Sequence, residues 1–398
     1  MKRIFAFLLV LVVAGISQAA TVVFNDPNLK AAVEAKLGIT DPDTTEMLEL
    51  TSFDANSQGI FDLKGLEYAT NLIYLTLYHN NISDMNVVAH LNKLRKLDLR
   101  YNHISNYKTV SGLNAITYLN LGYNESNDMT AFGGLTTLTY LGFGGNGVED
   151  INRSIISGLV DLGTLYLSDS FLTGSDLYNL ADANDTLTDL YLANNDIEDT
   201  NALAGFPNLR YLDLQYNDIS DINPLAGLTS LTNLYLSVNN ITSDDAFDLY
   251  VLWYLTNLVD LRLASNNISD ITVLAYLPQI QQLRLRNNQI QDIFALTYFY
   301  DLTRLDLTNN PMSFESWCIY LKQIISNNPG ANVTPAPSGD DVNTSSTNWG
   351  DLQIFSTQWL NGVCNINNAY CHCADLNDSG GVNFDDYVIF ADLWMNQP

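Results

Sequence analysis

Oxygen-bearing side chains recur at regular intervals near the end of this 398-residue chain, between Asp375 and Asp386. They occupy loop positions one, three, five, nine and twelve, and a glycine at position six permits the sharp turn that a twelve-residue calcium-binding loop requires. The expected ligands are Asp375, Asn377, Ser379, the backbone carbonyl of Gly381, Asn383 and Asp386. We therefore predict a Ca²⁺ site, with serine at position five and aspartate at position twelve as departures from the usual pattern.

This loop belongs to a duplicated segment. The sequence NWGDLQIFSTQWLN from Asn348 matches NFDDYVIFADLWMN, which begins 35 residues later. Such paired units resemble the type I dockerin, and the resemblance covers about Asp341 to Asn396. It implies a small α-helical, EF-hand-like domain that binds Ca²⁺ and docks onto a cohesin-type scaffold, although a role in surface retention or stability stays open. The first loop departs from the pattern, since its donors are too close and lack the glycine; a weak or empty site is expected at Asp341, Asn343, Ser345 and Asp351.

All four cysteines lie in the last quarter of the chain, at Cys318, Cys364, Cys371 and Cys373. With His372, the last three could hold zinc. In an exported protein a disulfide is favoured instead. Pairing of Cys364 with Cys371 or Cys373 is the short-range choice, which leaves Cys318 for the remaining thiol or free.

Catalytic chemistry has no comparable basis in the sequence. An enzyme needs a nucleophile with a base, a tuned acid and base, or an open metal site. The four histidines match none of these motifs: His79, His90, His103 and His372. Several aspartates recur with the repeat described below, which indicates a structural role: Asp84, Asp150, Asp199, Asp221, Asp270 and Asp292. We therefore predict a protein that is not an enzyme.

The amino terminus has the parts of an export signal. Lys2 and Arg3 precede a short uncharged apolar run, and small residues follow up to Ala19. Because the run is shorter than the roughly 20 residues that span a bilayer, we expect a signal peptide over residues 1–19 and a secreted or cell-surface protein without a transmembrane segment. The net charge of −27 repels phosphate backbones, which argues against nucleic acid as a partner.

Most of the chain consists of one repeat. The unit that begins at Leu72, LIYLTLYHNNISDMNVVAHLNK, recurs every 22 residues in the frame LxxLxLxxNxIxDxxxLxxL. Apolar fourth and sixth positions alternate with exposed ones, as in a half-buried strand. The frame resembles the internalin-type leucine-rich repeat, which implies an α/β solenoid, a horseshoe with a parallel concave sheet. The units begin at Leu72, Leu94, Ile116, Leu138, Leu162, Leu187, Leu209, Leu231, Leu258, Ile280 and Leu302, after a degenerate unit near Leu50.

The ninth position of nearly every unit is asparagine, whose buried amide can satisfy backbone groups where the chain leaves the strand. Only Ser170 interrupts this series of Asn80, Asn102, Asn124, Asn146, Asn195, Asn217, Asn239, Asn266, Asn288 and Asn310. The units that begin at Leu138, Leu162 and Leu231 have 24, 25 and 27 residues, and their extra residues are expected to bulge outward.

Both ends of the repeat array need caps, because a terminal turn cannot bury its own apolar face. Asp26, Pro27 and Gly38 have the positions of a helix N-cap, first residue and stop. After Pro311, the segment SFESWCIYLKQIISNN has amphipathic helical spacing. We therefore divide the chain into an N-terminal cap (20–49), the repeats with a C-terminal cap (50–332), a linker (333–340) and the dockerin-like domain (341–398).

The third, fifth, seventh and eighth residues of each unit are expected to form a concave binding surface. Tyrosines dominate its early and middle units: Tyr74, Tyr78, Tyr101, Tyr118, Tyr123, Tyr140, Tyr166, Tyr191, Tyr211, Tyr216 and Tyr235. The late units contribute Arg262, Arg284, Arg286 and Arg304, beside Asp260 and Asp306. Tyrosine suits recognition because it offers rigid contact area with a polar tip. Two simpler readings stay open, namely that tyrosine is a good strand residue and that the arginines are paired with the aspartates.

These features favour a secreted binding protein whose concave face recognises an extracellular protein or a glycan, and whose Ca²⁺-dependent C-terminal module anchors or docks it. The alternative is a noncatalytic structural subunit of a polysaccharide-degrading or cell-surface assembly.

Overall fold

A computed structural model describes residues 19–148, 151–181, 186–243, 249–313 and 316–334, without the side chains of residues 317 and 318. The expected signal peptide, apart from its last residue, and the whole segment 335–398 lie outside the described residues. The two calcium loops, the dockerin-like domain and the pairing of the four cysteines therefore remain predictions.

Thirteen strands within the described residues form one parallel sheet in chain order. Each new turn pairs at the same register, as where Leu75 lies beside Leu97 and Leu97 beside Leu119. This arrangement is an open solenoid and confirms the predicted repeat. The strands are β1 (Ser52–Asp54), β2 (Tyr74–Thr76), β3 (Lys96–Asp98), β4 (Tyr118–Asn120), β5 (Tyr140–Gly142), β6 (Thr164–Tyr166), β7 (Asp189–Tyr191), β8 (Tyr211–Asp213), β9 (Asn233–Tyr235), β10 (Asp260–Arg262), β11 (Gln282–Arg284), β12 (Arg304–Asp306) and β13 (Asn332–Thr334).

Short helices cover the opposite, convex side. The regular units have 3₁₀ helices, and the recurrent aspartates begin several of them: Asp221 accepts from the backbone N–H of Asn223 at 2.8 Å, and Asp270 accepts from that of Thr272 at 2.8 Å. The 3₁₀ helices are Glu46–Glu49, Leu66–Tyr68, Asn86–His90, Lys108–Gly112, Thr130–Phe132, Asn201–Gly205, Asn223–Gly227, Tyr250–Tyr254, Thr272–Tyr276 and Phe294–Tyr298. The α-helices are α1 (Pro27–Leu37), α2 (Arg153–Ile156), α3 (Gly174–Ala181) and α4 (Leu321–Asn327), and residues Ser316–Tyr320 form a π-helical turn.

Two of the three longer units have an α-helix on this convex side. Helix α2 lies in the unit that begins at Leu138, and α3 lies in the unit that begins at Leu162. Leu177 and Leu180 of α3 are buried, so this insertion adds to the core as well as to the surface.

One continuous apolar core fills the space between the sheet and the helices. Its regular members are the fourth and sixth residues of each unit; Leu75, Leu77, Leu212 and Leu214 are all 0% exposed. Burying one leucine stabilises a fold by about 1.5–3 kcal/mol, and each turn shares that burial with both neighbours.

The first end of the core is closed by α1, at the position that the sequence predicts. Asp26 caps the helix by accepting from the N–H groups of Asn28 and Leu29, and Gly38 ends it with a φ of 72°. The second oxygen of Asp26 accepts from the N–H groups of Phe61 and Asp62, which attaches the cap to the first turn of the repeat.

The far end differs from expectation. The amphipathic segment forms a π-helical turn followed by α4, and the chain then returns to the sheet as β13, which pairs with β12. Val333 is 9% exposed and lies in the sheet, so the first residues assigned to the linker belong to the cap. Three residues with one buried apolar side chain are too short a pattern to indicate a strand from sequence.

Candidate functional site

The concave sheet face is formed by the third, fifth and seventh residues of each unit, and the eighth residues line its edge. The chain turns sharply after each strand, and the eighth residue adopts a left-handed conformation, as in His79, Tyr101 and Tyr123 with φ of 54°, 56° and 54°. These three side chains stack along the edge, with ring centroids 4.2 Å apart for His79 and Tyr101 and 4.3 Å apart for Tyr101 and Tyr123. The early turns therefore present an ordered row of aromatic rings.

A second row follows the third positions of β3, β4 and β5. Tyr118 and Tyr140 are paired in the sheet and stack at 4.1 Å, and Lys96 lies over the ring of Tyr118 at 4.7 Å. Both rings are half-buried against each other. Burial, followed by the nearby Tyr118, raises the pKa of Tyr140 and keeps its hydroxyl protonated well into the alkaline range.

Four tyrosines form a chain of ring contacts across the middle turns. Successive centroids are 5.3 Å apart for Tyr166 and Tyr191, 4.5 Å for Tyr191 and Tyr211, and 5.0 Å for Tyr211 and Tyr235. Burial is the main cause that raises the pKa of Tyr191 and of Tyr211. The predicted clustering of tyrosines on one face is therefore present in the structure.

Tyr235 departs from the prediction in one respect, because it is only 6% exposed. The guanidinium of Arg262 lies 3.6 Å from the centre of its ring, and the Tyr235 hydroxyl donates to Asp260 at 2.8 Å. The Tyr235 side chain faces the concave side, but Arg262 of the next turn covers it. Tyr235 therefore packs beneath the surface and offers little contact area to a ligand. Tyr74, in contrast, is 49% exposed in β2.

Glycines make room for the early rings. A Cβ atom at Gly144 would lie 2.2 Å from the backbone oxygen of Ser168, and one at Gly145 would lie 2.4 Å from the ring of Tyr123. Within the run GFGGNG from Gly142, Gly144 and Gly145 therefore lie where the rings of Tyr166 and Tyr123 approach the backbone. The sequence signal for this feature is glycine at the fifth, seventh and eighth positions of one unit.

The arginines of the late turns do not share one environment. Arg262 forms an ion pair with Asp260 at 2.8 Å, as the simpler reading anticipates. The second pairing of that simpler reading, with Asp306, is absent among the described residues, and Oδ1 of Asp306 accepts from the backbone and hydroxyl of Thr308 at 3.1 and 2.7 Å. Arg284 is half-buried, and Arg286 and Arg304 are exposed.

Comparisons with known proteins agree with this architecture. Residues 185–227 match a family model described as Leucine Rich repeats (2 copies), and residues 90–106 match one described as Leucine Rich repeat. The chain is a leucine-rich-repeat protein.

Two solved structures from Listeria monocytogenes have a similar fold to this leucine-rich-repeat protein. One is an internalin (inlF), with a TM-score of 0.69 and 26% identity over 79% of this chain and 96% of that one. The other is the functional domain of InlJ, which includes a cysteine ladder, with a TM-score of 0.57 and 22% identity over 78% of this chain and 68% of that one. No curated protein matches the sequence. These neighbours are internalin-like in fold, and no enzymatic family is indicated.

The leucine-rich-repeat protein also carries aromatic side chains on its convex side that sequence reasoning missed. Tyr254, Tyr276 and Tyr298 are 62%, 49% and 56% exposed, and Trp253 stacks on Tyr276 at 4.2 Å. Tyr276 and Tyr298 line a groove of about 700 Å³. The signal was available, because the equivalent position in several earlier units is glycine, as at Gly112, Gly205 and Gly227.

Neither a metal-binding cluster nor a membrane-spanning helix is present in the described part of the leucine-rich-repeat protein. There, no group of three or more histidine, cysteine, aspartate or glutamate side chains is placed to hold a metal ion. No helix in the same ranges combines the length and the apolar character needed to cross a membrane.

Proposed function

We propose that this chain is a secreted binding protein whose concave tyrosine surface recognises another protein. The observation that carries the proposal is the chain of contacts from Tyr166 through Tyr191 to Tyr211, together with the stacked pair Tyr118 and Tyr140. Contiguous aromatic surface is typical of interaction sites, whereas scattered apolar side chains are normal.

The rigidity of the concave tyrosine side chains also favours a protein as the ligand. A tyrosine held by its neighbours loses little conformational entropy when it binds, and its hydroxyl still offers a hydrogen bond. The internalin-like fold agrees with protein binding in general. A flat, aromatic and hydroxyl-bearing surface on a stiff sheet suits an extended protein surface, since the strands hold its side chains at fixed spacings.

The test compares three forms of the chain as baits for extracellular proteins from its native source. Replacing Tyr118, Tyr140 and Tyr211 with alanine should remove the captured partner, because it removes the contact area at two separate places. The control replaces the convex Tyr254 and Tyr298 with alanine and should capture the same partner as the natural chain. Capture that is unchanged by the concave substitutions contradicts the proposal.

We further propose that residues 341–398 bind Ca²⁺ as a dockerin-like module and attach the protein to a cohesin-type scaffold. The support is the ligand spacing from Asp375 to Asp386 and the duplication of the segment. Such a module also favours the second candidate function, a noncatalytic subunit of a polysaccharide-degrading or cell-surface assembly.

Calorimetric titration of the full chain with Ca²⁺ tests this module. We expect saturable binding that is lost when Asp375 and Asp386 are both replaced by alanine, because two charged ligands are removed from one loop. The matched control replaces Asp341 in the first loop, where little change is expected. Absence of calcium binding by the natural chain contradicts the assignment, and calcium-dependent affinity for a cohesin would separate the two candidate functions.

A further inference from the structure

The late turns concentrate positive charge in a protein that is otherwise strongly acidic. Arg262, Arg284, Arg286 and Arg304 lie on three neighbouring strands or directly after them, within a chain of net charge −27. Two carboxylates are near, Asp260 and Asp306, so the group keeps an excess of cationic side chains. We call Arg284, Arg286 and Arg304 the arginine corner.

One arginine of this region, Arg262, already forms an ion pair with a carboxylate. Arg262 donates from Nη2 to Asp260 and to the hydroxyl of Tyr235, at 2.8 Å in both cases, and its planar group covers the Tyr235 ring. Asp260 balances its charge. Arg262 therefore shows the arrangement that a guanidinium adopts on this sheet when a carboxylate is available.

Arg284 is the next residue along the same row, directly beside Arg262 in the sheet. Its Nε atom is shielded from solvent and has no hydrogen-bond partner in the structure. The in-register neighbour on its other side is Asp306, whose Oδ1 accepts from Thr308 and which forms no ion pair with Arg284. A half-buried guanidinium without an acceptor is costly, since an unmet charged donor loses its hydration without compensation.

The surrounding charges increase this cost. Burial first, and then the guanidiniums of Arg262 and Arg304, lower the pKa of Arg284, while Asp260 acts in the opposite direction. Neither Arg286 nor Arg304 has an ion-pair partner among the described residues. The corner thus holds three cationic groups beside one carboxylate, Asp306, and unfavourable arrangements of this kind are typical of functional sites.

We propose that the arginine corner binds a single carboxylate group presented by the protein ligand, with Arg284 as the principal contact. This inference rests on the proposed function, because the corner continues the concave surface that the tyrosines form. A carboxylate would supply the acceptor that Arg284 lacks, and the planar fork of arginine matches carboxylate geometry.

The charge of the whole chain favours one carboxylate over a polyanion. A sulfated polysaccharide or a nucleic acid extends beyond the corner and would be repelled by the net charge of −27 on the chain, over distances of about a Debye length, roughly 8 Å at physiological salt. An isolated acidic side chain or a carboxyl terminus carries a single negative charge, so the positive potential of the corner is sufficient to attract it. Both sources present the same group, and they can be separated by experiment.

The test uses the full chain with acetate as the probe, at constant ionic strength against chloride. Without acetate, Arg284→Met should unfold at a higher denaturant concentration than the natural chain, because an unpaired cation is replaced by an apolar side chain of similar length. Acetate should stabilise the natural chain saturably and leave Arg284→Met unchanged. For Arg284→Lys, which keeps the charge but loses the fork, the half-saturating acetate concentration should rise about tenfold.

The matched control is Arg210→Met, since Arg210 is exposed and lies outside the corner; it should respond to acetate like the natural chain. A lower unfolding midpoint for Arg284→Met, or an equal acetate response in all variants, overturns the proposal. Titration with three glycine pentapeptides then identifies the source: one with a central glutamate and blocked ends, one with a free carboxyl terminus, and one with a central glutamine and blocked ends. Equal binding of the glutamine peptide also overturns it.

The two experiments distinguish failure of the carboxylate-binding proposal from failure of the proposed function. If acetate has no effect while the concave tyrosine substitutions still abolish capture of the partner, only the arginine corner is wrong. If the tyrosine substitutions leave capture intact, the recognition surface itself is wrong, whatever acetate does.

Discussion

At the scale of single residues, the asparagine of each turn is the connection on which the solenoid depends. The amide of Asn217 donates to the carbonyls of Leu192 and Leu214, both at 3.0 Å, and its oxygen accepts from the N–H of Ile197 at 3.1 Å. One side chain thus satisfies backbone groups of two neighbouring turns. Ser170, which stands where asparagine is expected, reaches only the carbonyl of Ser168.

Replacing Asn217 with alanine should lower the free energy of unfolding by about 3 kcal/mol, because several buried backbone groups lose their partners at once. Chemical denaturation monitored by circular dichroism measures the change. Asn240→Ala is the control, since Asn240 is exposed and should matter by less than about 0.5 kcal/mol. Equal effects of the two substitutions would show that the ninth position is not a structural connection.

At the scale of elements, the N-terminal cap is held by one carboxylate. Asp26 is 0% exposed and accepts four backbone N–H groups, two from α1 and two from the first turn, at 2.6 to 3.2 Å. Burial alone would raise the pKa of Asp26, but the backbone donors, with Phe61 first, outweigh it and lower the pKa. The negative charge therefore stabilises the junction between helix and repeat.

Asp26→Asn should destabilise the protein by about 2–3 kcal/mol at pH 7, since an amide nitrogen would face N–H donors. The folded-state pKa lies below the unfolded value, so this stabilisation is present above the unfolded pKa near 3.8 and is lost as the pH falls through the folded pKa. The difference between variant and natural chain should therefore shrink as the pH falls below the unfolded pKa of Asp26, which a series of urea unfolding curves would measure. Asp161→Asn, at an exposed position, should show no such gap at either pH.

At the scale of the whole molecule, the fold is a sum of turns that contact only their neighbours. Because each strand pairs 22 residues later for most of the array, one complete turn is an exchangeable unit. The sheet, the core and the asparagine series all share this period.

Deleting residues 209–230 should therefore leave a folded protein with somewhat lower stability, in which β7 pairs directly with β9. Deleting only residues 209–219 removes half a turn, shifts apolar positions out of the core and should prevent cooperative unfolding. Thermal unfolding followed by circular dichroism distinguishes the two. A half-turn deletion that unfolds as cooperatively as the full-turn deletion would contradict this view of the core.

The repeat period explains which features could be predicted. The residue types of Leu75, Asn80 and Asp221 recur at the same positions of successive units. The strands, the asparagine series and the helix starts could therefore be identified from spacing alone. The covering of Tyr235 could not, because it depends on where Arg262 of the next turn places its planar group. The final strand was missed because Val333 is a single apolar residue between polar ones.

The edge that β13 leaves has a consequence for behaviour in solution. An unpaired strand edge can recruit a second chain and start aggregation. Here the edge strand has only three residues, Asn332–Thr334, and the next residues in the sequence include Pro335 and Pro337, which have no N–H group to donate. A template this short, followed at once by proline, is poorly suited to nucleating fibrils, so we expect little recruitment of a second chain through this edge.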